Sequence, residues 1–270
     1  MQLRGLIVVP ARYGSTRLPG KPLQRISGHT LLERVATIAQ AAARQAGRCD
    51  VVVATDDDRI AAHAADLGVD VAITATELNS GSSRAYAAAA QRPEAPDLVI
   101  NLQGDAPFIP PHVVADLIHA LREGDDDVAT PVYRLSWDQL DHLRQHKQTV
   151  PFSGTCCIRG ADGRALWFSK SIIPAIRDEA TLRDQPLSPV WQHMGLYGYR
   201  LAALEWFASA ETGHYEALEG LEQLRFLENG RTITTIEVEP PIHGVSGIDS
   251  PEDVIAAEAS IARLGDPLQS

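Results

Sequence analysis

Three observations predict an α/β fold, one domain with a mainly parallel central sheet covered by helices. Short apolar runs alternate with amphipathic or Ala-rich stretches, one of those runs is too continuously apolar for a half-exposed strand, and no Pro/Gly/Ser-rich tract divides the chain. The first strand is read over 6–9. A long loop follows, then a periodic helical segment over 31–46. The second strand, 51–54, ends at Thr55-Asp56 and leads into a helix over 59–67, with Asp56 or Asp57 as its N-cap. A third strand covers 69–74, and a helix from about 83 to 90 precedes the run 98–102. That uninterrupted run is of the kind buried on both faces in the middle of a parallel sheet. A helix over 112–122 and a strand over 128–135 follow, after which 136–149, polar and rich in His and Gln, is expected to be a surface excursion. The second half is less regular and reads as additions to the same sheet. It has strands near 155–158, 165–168 and 194–199, helices near 201–209 and 215–228, and an alternating strand over 232–238. Ser250-Pro251-Glu252-Asp253 opens a final helix, with Ser at the N-cap and Pro in the first turn. The domain is expected to span 1–264 and to leave a polar tail over 265–270.

Composition bounds the function. The chain has 270 residues, 44% of them hydrophobic and 22% charged, which is enough for a full core. Its 24 Lys and Arg against 35 Asp and Glu give a net charge of −11, which opposes binding of a polyanion, so no nucleic-acid partner is expected. No apolar stretch approaches the roughly 20 residues of a membrane span. Met1 leads straight into a strand without a signal-peptide pattern, so the expected location is cytoplasmic. Cys49, Cys156 and Cys157 form neither a disulfide framework nor a zinc pattern and are expected to be small buried apolar side chains.

Unusual residues gather where strands end, which is where open α/β sheets bind ligands. Directly after the first strand comes Pro10-Ala11-Arg12-Tyr13-Gly14-Ser15-Thr16-Arg17-Leu18-Pro19-Gly20-Lys21-Pro22-Leu23. Its glycines permit close backbone approach, and Arg12, Arg17 and Lys21 bring three cations to backbone donors, a composition suited to a triphosphate. It is not a Walker A loop, because Pro22 stands where Ser or Thr would follow the lysine. At the end of the central run lies Asn101-Leu102-Gln103-Gly104-Asp105-Ala106-Pro107. Asp105 fits two roles, a cap for the helix that starts near Pro110 or a Mg²⁺ ligand beside substrate phosphates. Asp249 is its candidate partner, against a local turn role beside Ser250 and Asp253. The run Asp56-Asp57-Asp58 contains a D-x-D that fits a metal, although acidic residues at a helix start are commonly capping groups. Ser80-Gly81-Ser82-Ser83-Arg84 is either an anion-binding helix start or a capped turn. His193, before an apolar strand, and Glu219 and Glu222, one turn apart on a helix face, are candidates for a polar pocket. His142 and His146 have no metal-ligand partner pattern, and no G-x-S-x-G is present.

The strings PARYGSTRLPGKPL, TDDDRI, NLQGDAPFIP, ALWFSKSIIP, HMGLYGYR, LEGLEQLRFLENG and GIDSPEDV, in this order, resemble the 3-deoxy-manno-octulosonate cytidylyltransferases from about residue 7 to 254. The resemblance implies the nucleotide-diphospho-sugar transferase fold, Rossmann-like. It also implies transfer of a cytidylyl group from CTP to the anomeric hydroxyl of a 3-deoxy-2-ulosonic acid, with Mg²⁺, in a homodimer that serves surface polysaccharide or lipopolysaccharide synthesis. Carried onto matching positions, it makes Lys21, Asp105 and Asp249 catalytic and Asp105 and Asp249 the Mg²⁺ ligands. Ala11, Arg12, Arg17, Lys21, Ser80, Arg84 and Gln103 become nucleotide-binding, and Gln103, His193, Tyr197, Glu219 and Glu222 sugar-binding.

The chain departs from the family pattern at several places. Ala106 replaces a Glu, Ser82-Ser83 replaces Thr-Glu, and Phe152, Ser153 and Cys156 stand where a Pro, an Asn and a Lys are usual. Gly-Val-Asp is interrupted over Gly244-Val245-Ser246-Gly247-Ile248-Asp249. These departures point to a divergent subgroup acting on a modified or related ulosonic acid. Two alternatives remain open on the sequence. One is a glycosyltransferase using Asp56 and Asp58, and the other is an inactive paralogue that binds nucleotide or sugar acid.

Overall fold

Four consecutive side chains with no more than 1% of their surface exposed, Leu6 to Val9, make Gly5–Ala11 (β1) a strand covered on both faces. The computed structural model describes residues 2–14, 17–78, 80–244 and 247–268. The loop after β1 contains a 3-10 turn, Lys21–Leu23, and a small hairpin of Arg25–Ile26 (β2) and His29–Thr30 (β3). Leu31–Ala46 (α1) starts at a capping box in which Thr30 and Glu33 satisfy each other's backbone N–H. Next come Cys49–Thr55 (β4), Asp58–Asp66 (α2) with Asp57 as N-cap, and Asp70–Ile73 (β5). Gly81–Ala90 (α3), N-capped by Ser80, leads to Leu98–Asn101 (β6), Pro111–Glu123 (α4) and Val128–Ser136 (β7). Trp137–His146 (α5), Cys156–Arg159 (β8), Ala165–Ser169 (β9), Glu179–Leu182 (α6), Leu187–His193 (β10) and Tyr197–Arg200 (β11) follow. The chain closes with Leu201–Ser209 (α7), His214–Glu219 (α8), Leu224–Glu228 (α9), Ile233–Glu237 (β12) and Pro251–Leu264 (α10).

Two compact units interleave along the sequence. One comprises Met1–Glu123, Leu196–Ala208 and Pro241–Ser270, and the other Gly124–Gly195 and Ser209–Pro240. In the first, the strand order is β5-β4-β1-β6-β11, with the first four parallel and β11 antiparallel to β6. This is the mainly parallel α/β sheet the sequence predicts. Because β1, β4 and β6 are parallel, the loops that follow them emerge at one sheet edge. In the second unit β7 pairs with β12 in parallel and with β10 antiparallel, and β8 lies antiparallel between β10 and β9. No helix among the described residues is long and apolar enough to cross a membrane.

The structure corrects the sequence reading at three places, in α5, in α8 and α9, and at β10 and β11. The segment expected as a polar excursion is helix α5, opened by a Ser136/Gln139 capping box and pinned by buried Trp137 and Leu140 against Leu135, Cys156 and Val190. The expected helix over 215–228 is two short helices, α8 and α9, because Gly220 adopts φ 64°, a left-handed conformation that ends α8. The strand expected over 194–199 begins only at Tyr197, and His193 instead ends β10, a strand absent from the sequence reading. The polar end of the chain is tied down as far as Asp266, whose carboxylate pairs with the fully buried Arg34 guanidinium at 2.8 and 3.0 Å. Cys156 and Cys157 are buried as expected, whereas Cys49 is half-buried.

Candidate active site

The site in the first unit starts from one backbone crossing. A Cβ on Gly104 would stand 2.2 Å from the Pro10 carbonyl oxygen, so only glycine lets the end of β6 pass this close to the end of β1. The crossing places Gln103 and Asp105 beside Ala11 and Arg12, in an open cleft of about 200 Å³ that also has Lys21, Ser80 and Arg84 in its walls. Arg12 Nε is buried there without a hydrogen-bond partner among the described residues. Gly20 brings Lys21 in. Its φ of 68° is left-handed, and its N–H donates to the Tyr13 carbonyl at 3.0 Å, which closes the loop on itself.

Lys21 Nζ donates to Asp105 Oδ2 at 2.8 Å and to Asp249 Oδ1 at 3.0 Å, so one ammonium draws the two carboxylates together. Arg17 reaches the other oxygen, Asp249 Oδ2, at 3.1 Å. Ser250 and Asp253 do the capping of α10. The Asp253 carboxylate accepts from the N–H groups of Asp249 and Ser250, both at 2.9 Å, and Ser250 Oγ accepts from Asp253 N–H. The Asp249 side chain is therefore released from a cap role. The Ile248 N–H donates to the Asp105 carbonyl at 2.9 Å and stitches the two acidic segments side by side. Burial alone would lower the Lys21 pKa, but the charges and hydrogen bonds of Asp105 and Asp249 outweigh it and hold the ammonium above its ordinary value. For Asp249, burial pushes upward and Lys21 and Arg17 push further downward, so the carboxyl lies below the usual carboxylate range.

The other candidates of this unit also make contacts within the fold. Ser80 Oγ accepts from Ser83 N–H at 3.1 Å, and Ser83, at the third position of α3, receives the Ser80 hydroxyl at 3.1 Å. The departure at Ser83 thus falls on a helix cap. Arg84, 1% exposed, donates to Thr74 Oγ1 and to the Leu78 carbonyl and lies 3.6 Å from Asp56, so its guanidinium braces the cleft wall. Burial lowers its pKa. Asp57 caps α2 and clamps Arg59 in two hydrogen bonds at 3.0 and 2.7 Å, so Asp56 and Asp57 face arginines. Among the described residues no three His, Cys, Asp or Glu side chains group as a metal site, so the D-x-D candidate gains no third ligand. Tyr197 stacks with Tyr199 at 6.0 Å between ring centres.

The second unit holds a separate polar cluster. His193 Nε2 lies 2.9 Å from Thr130 Oγ1, and the ring meets Phe168 edge-on at 5.1 Å. Burial and then the nearby Lys170 charge push its pKa down to about 3, so the imidazole is neutral at physiological pH. Lys170 Nζ donates to Thr155 Oγ1 at 3.1 Å, and the His193 N–H donates to the Thr155 carbonyl at 2.8 Å. Glu219 accepts from Ser169 Oγ at 2.7 Å and from the Lys170 N–H at 2.8 Å. Glu222 is exposed on the turn between α8 and α9 and does not share a helix face with Glu219. Lys170, Thr155, Thr130 and Ser169 are members that the sequence reading missed. The one available signal was the Ser-Lys pair directly after an apolar strand. Cys156, the departure on β8, is fully buried, and burial raises its thiol pKa.

A family model described as cytidylyltransferase matches residues 6–233. The 3-deoxy-manno-octulosonate cytidylyltransferase of Maricaulis maris is 40% identical over 262 residues, covering 97% of this chain and 98% of the relative. The protein of the same name from Elusimicrobium minutum is 36% identical over 257 residues, covering 95% and 97%. Among solved structures, a CMP:2-keto-3-deoxy-manno-octonic acid synthetase complexed with CTP superposes with TM-score 0.82 at 31% identity, over 96% of this chain and 99% of the other. A cytidylyltransferase from Leptospira borgpetersenii, at 20% identity and TM-score 0.60 over 97% and 88%, shares the fold. Full-length similarity at this level, on a chain whose β1 loop, β6 end and α10 start converge on one cleft, places it in the cytidylyltransferase family, among the 3-deoxy-manno-octulosonate cytidylyltransferases.

Proposed function

We propose that this chain is a nucleotidyltransferase that moves CMP from CTP to the anomeric hydroxyl of 3-deoxy-manno-octulosonate, or of a modified relative, and releases pyrophosphate. The hydroxyl oxygen bonds to the α-phosphorus, the bond from that phosphorus to the bridging oxygen of the pyrophosphate breaks, and the hydroxyl proton passes to solvent. The observation that carries the reading is the Asp105 and Asp249 pair, gathered by one ammonium at a cleft lined with Arg12, Lys21 and Gln103.

A divalent cation fits those residues. The pair already holds a cation, the Lys21 ammonium, and it offers only hard carboxylate oxygens, a donor set suited to Mg²⁺ with substrate phosphates and water completing the shell. Asp105 and Asp249 would hold the ion, which when bound supplies Lewis-acid polarisation of phosphate and hydroxyl oxygens. Arg12, with its unspent donor, and Lys21 stabilise charge that grows on the departing pyrophosphate through charge-assisted hydrogen bonds. Gln103 lies in the same wall as a neutral donor and acceptor for the nucleotide. No side-chain nucleophile is required. The polar cluster of the second unit has chemistry suited to a sugar acid, since Lys170 offers a cation to a carboxylate and His193, kept neutral, offers a hydrogen bond without adding charge. Assembly as a cytoplasmic homodimer serving surface polysaccharide or lipopolysaccharide synthesis belongs to the same reading and rests on the motif resemblance.

Pyrophosphate release with CTP and Mg²⁺, measured over a panel of the eight-carbon acid, its 8-amino form and nine-carbon acids, tests the proposal. Metal-dependent release with an eight-carbon acid is expected. Preference for the 8-amino form would assign the departures at Ala106 and Cys156 to acceptor choice, and equal or better turnover of the parent acid would remove that assignment. Silence across the panel from a protein that binds CTP would overturn the transferase reading in favour of a binding paralogue.

A further inference from the structure

The ammonium of Lys21 holds the oxygens that a cation between the two carboxylates needs. It donates to Asp105 Oδ2 at 2.8 Å and Asp249 Oδ1 at 3.0 Å, while Arg17 covers Asp249 Oδ2 at 3.1 Å. Lys21 is the better seated of the two cations, with its side chain 16% exposed against 68% for Arg17. A divalent ion and the ammonium compete for these carboxylates, because both are cations that repel each other at this range and each lone pair serves only one of them. Lys21 also lines the cleft that holds Arg12 Nε, so a triphosphate bound there offers the same flexible ammonium a second set of anionic oxygens.

We propose that Lys21 is a built-in competitor of the divalent cation, which keeps the Asp105 and Asp249 pair from binding metal alone and hands it over when the triphosphate takes the ammonium. The inference rests on the metal and nucleotide assignment of the preceding subsection. Its consequence is coupling: nucleotide favours metal by removing the competitor, and metal favours nucleotide by freeing the lysine for the phosphates. Such coupling is reciprocal, and its usual size is roughly 5–150-fold in affinity. It would also spare an acidic chain from collecting divalent ions in the absence of substrate.

The test is Mn²⁺ binding, as a probe of the Mg²⁺ site, by the full chain without nucleotide, read by titration calorimetry and by the shift of the thermal midpoint with Mn²⁺. Lys21→Met and Lys21→Gln are expected to bind Mn²⁺ about tenfold tighter than the parent chain, within the range such couplings span. Lys21→Arg, which keeps a cation on the carboxylates, is expected to stay near the parent. Adding Asp249→Asn to Lys21→Met should abolish the gain. Unchanged or weaker Mn²⁺ binding by both neutral variants, with melting that shows them folded, would overturn the competition, as would tightening that survives Asp249→Asn or appears in Lys21→Arg. The two readings fail separately. Turnover by the parent chain without tightening in the variants removes the competitor and keeps the transferase, whereas tightening in a chain that never releases pyrophosphate does the reverse.

Discussion

Asp249 and Asp253 stand four residues apart at the start of α10, and hydrogen bonds divide their work. Asp253 collects two backbone N–H groups, the pattern of a helix cap, while Asp249 turns to Lys21 and Arg17. His193 shows the same dependence on partners. Burial first, and then the nearby Lys170 charge, disfavour its protonated form. Its pKa falls from the ordinary 6.5 to about 3, so the folded chain binds fewer protons than the unfolded chain between those values. The stability it contributes is therefore fully present above pH 6.5 and is lost as pH falls toward 3. The His193 ring-proton NMR shift is expected to stay flat from pH 8 to pH 5. A midpoint near 6.5 would contradict the neutral assignment and remove His193 from the role of an uncharged hydrogen-bonding group.

The basic loop after β1 is shaped by the start of α2, which the sequence reading considered for helix capping and for metal. Arg59, in the first turn of α2, lies 3.3 Å from the Tyr13 ring centre, and the other side of the loop is Gly20, whose added Cβ would meet the Tyr13 ring at 3.1 Å. Asp57 holds Arg59 in place through two hydrogen bonds. The acidic run thus steadies the loop that carries Arg12, Arg17 and Lys21. Arg59→Ala should raise the KM for CTP about two- to fivefold, the value of an exposed cation–π contact, and leave the KM for the sugar unchanged. A change confined to the sugar KM would refute this role. Local pattern made β1, α1, α2 and α10 legible, and it singled out Lys21, Asp105 and Asp249, which the structure brings together, while their roles came from the motif resemblance. Helix α5 was hidden because only Trp137 and Leu140 of its ten residues are buried, so its period is faint and its Ser136/Gln139 cap is the better signal. Thr155 and Thr130 carry no motif, and Lys170 lies in the string ALWFSKSIIP without a chemical signature that singles it out. They meet only after β7, β8, β9 and β10 pair, and no local spacing encodes that.

A chain of net charge −11 that handles CTP meets an opposing field at long range and solves it locally. At physiological salt, charges beyond about 8 Å are largely screened, so Arg12, Arg17 and Lys21 at the cleft outweigh the distant carboxylates. In the proposed reaction a metal works beside those cations, and Asp105 and Asp249 are the acidic groups that the proposal assigns to hold it. The account therefore stands or falls on that pair. The most direct measurement is sugar-dependent pyrophosphate release by Asp105→Asn, an isosteric change that removes the charge, paired with a thermal melt. The account predicts a loss on the order of 10²-fold or more in a protein that melts as the parent does. Release at the parental rate by folded Asp105→Asn would contradict it.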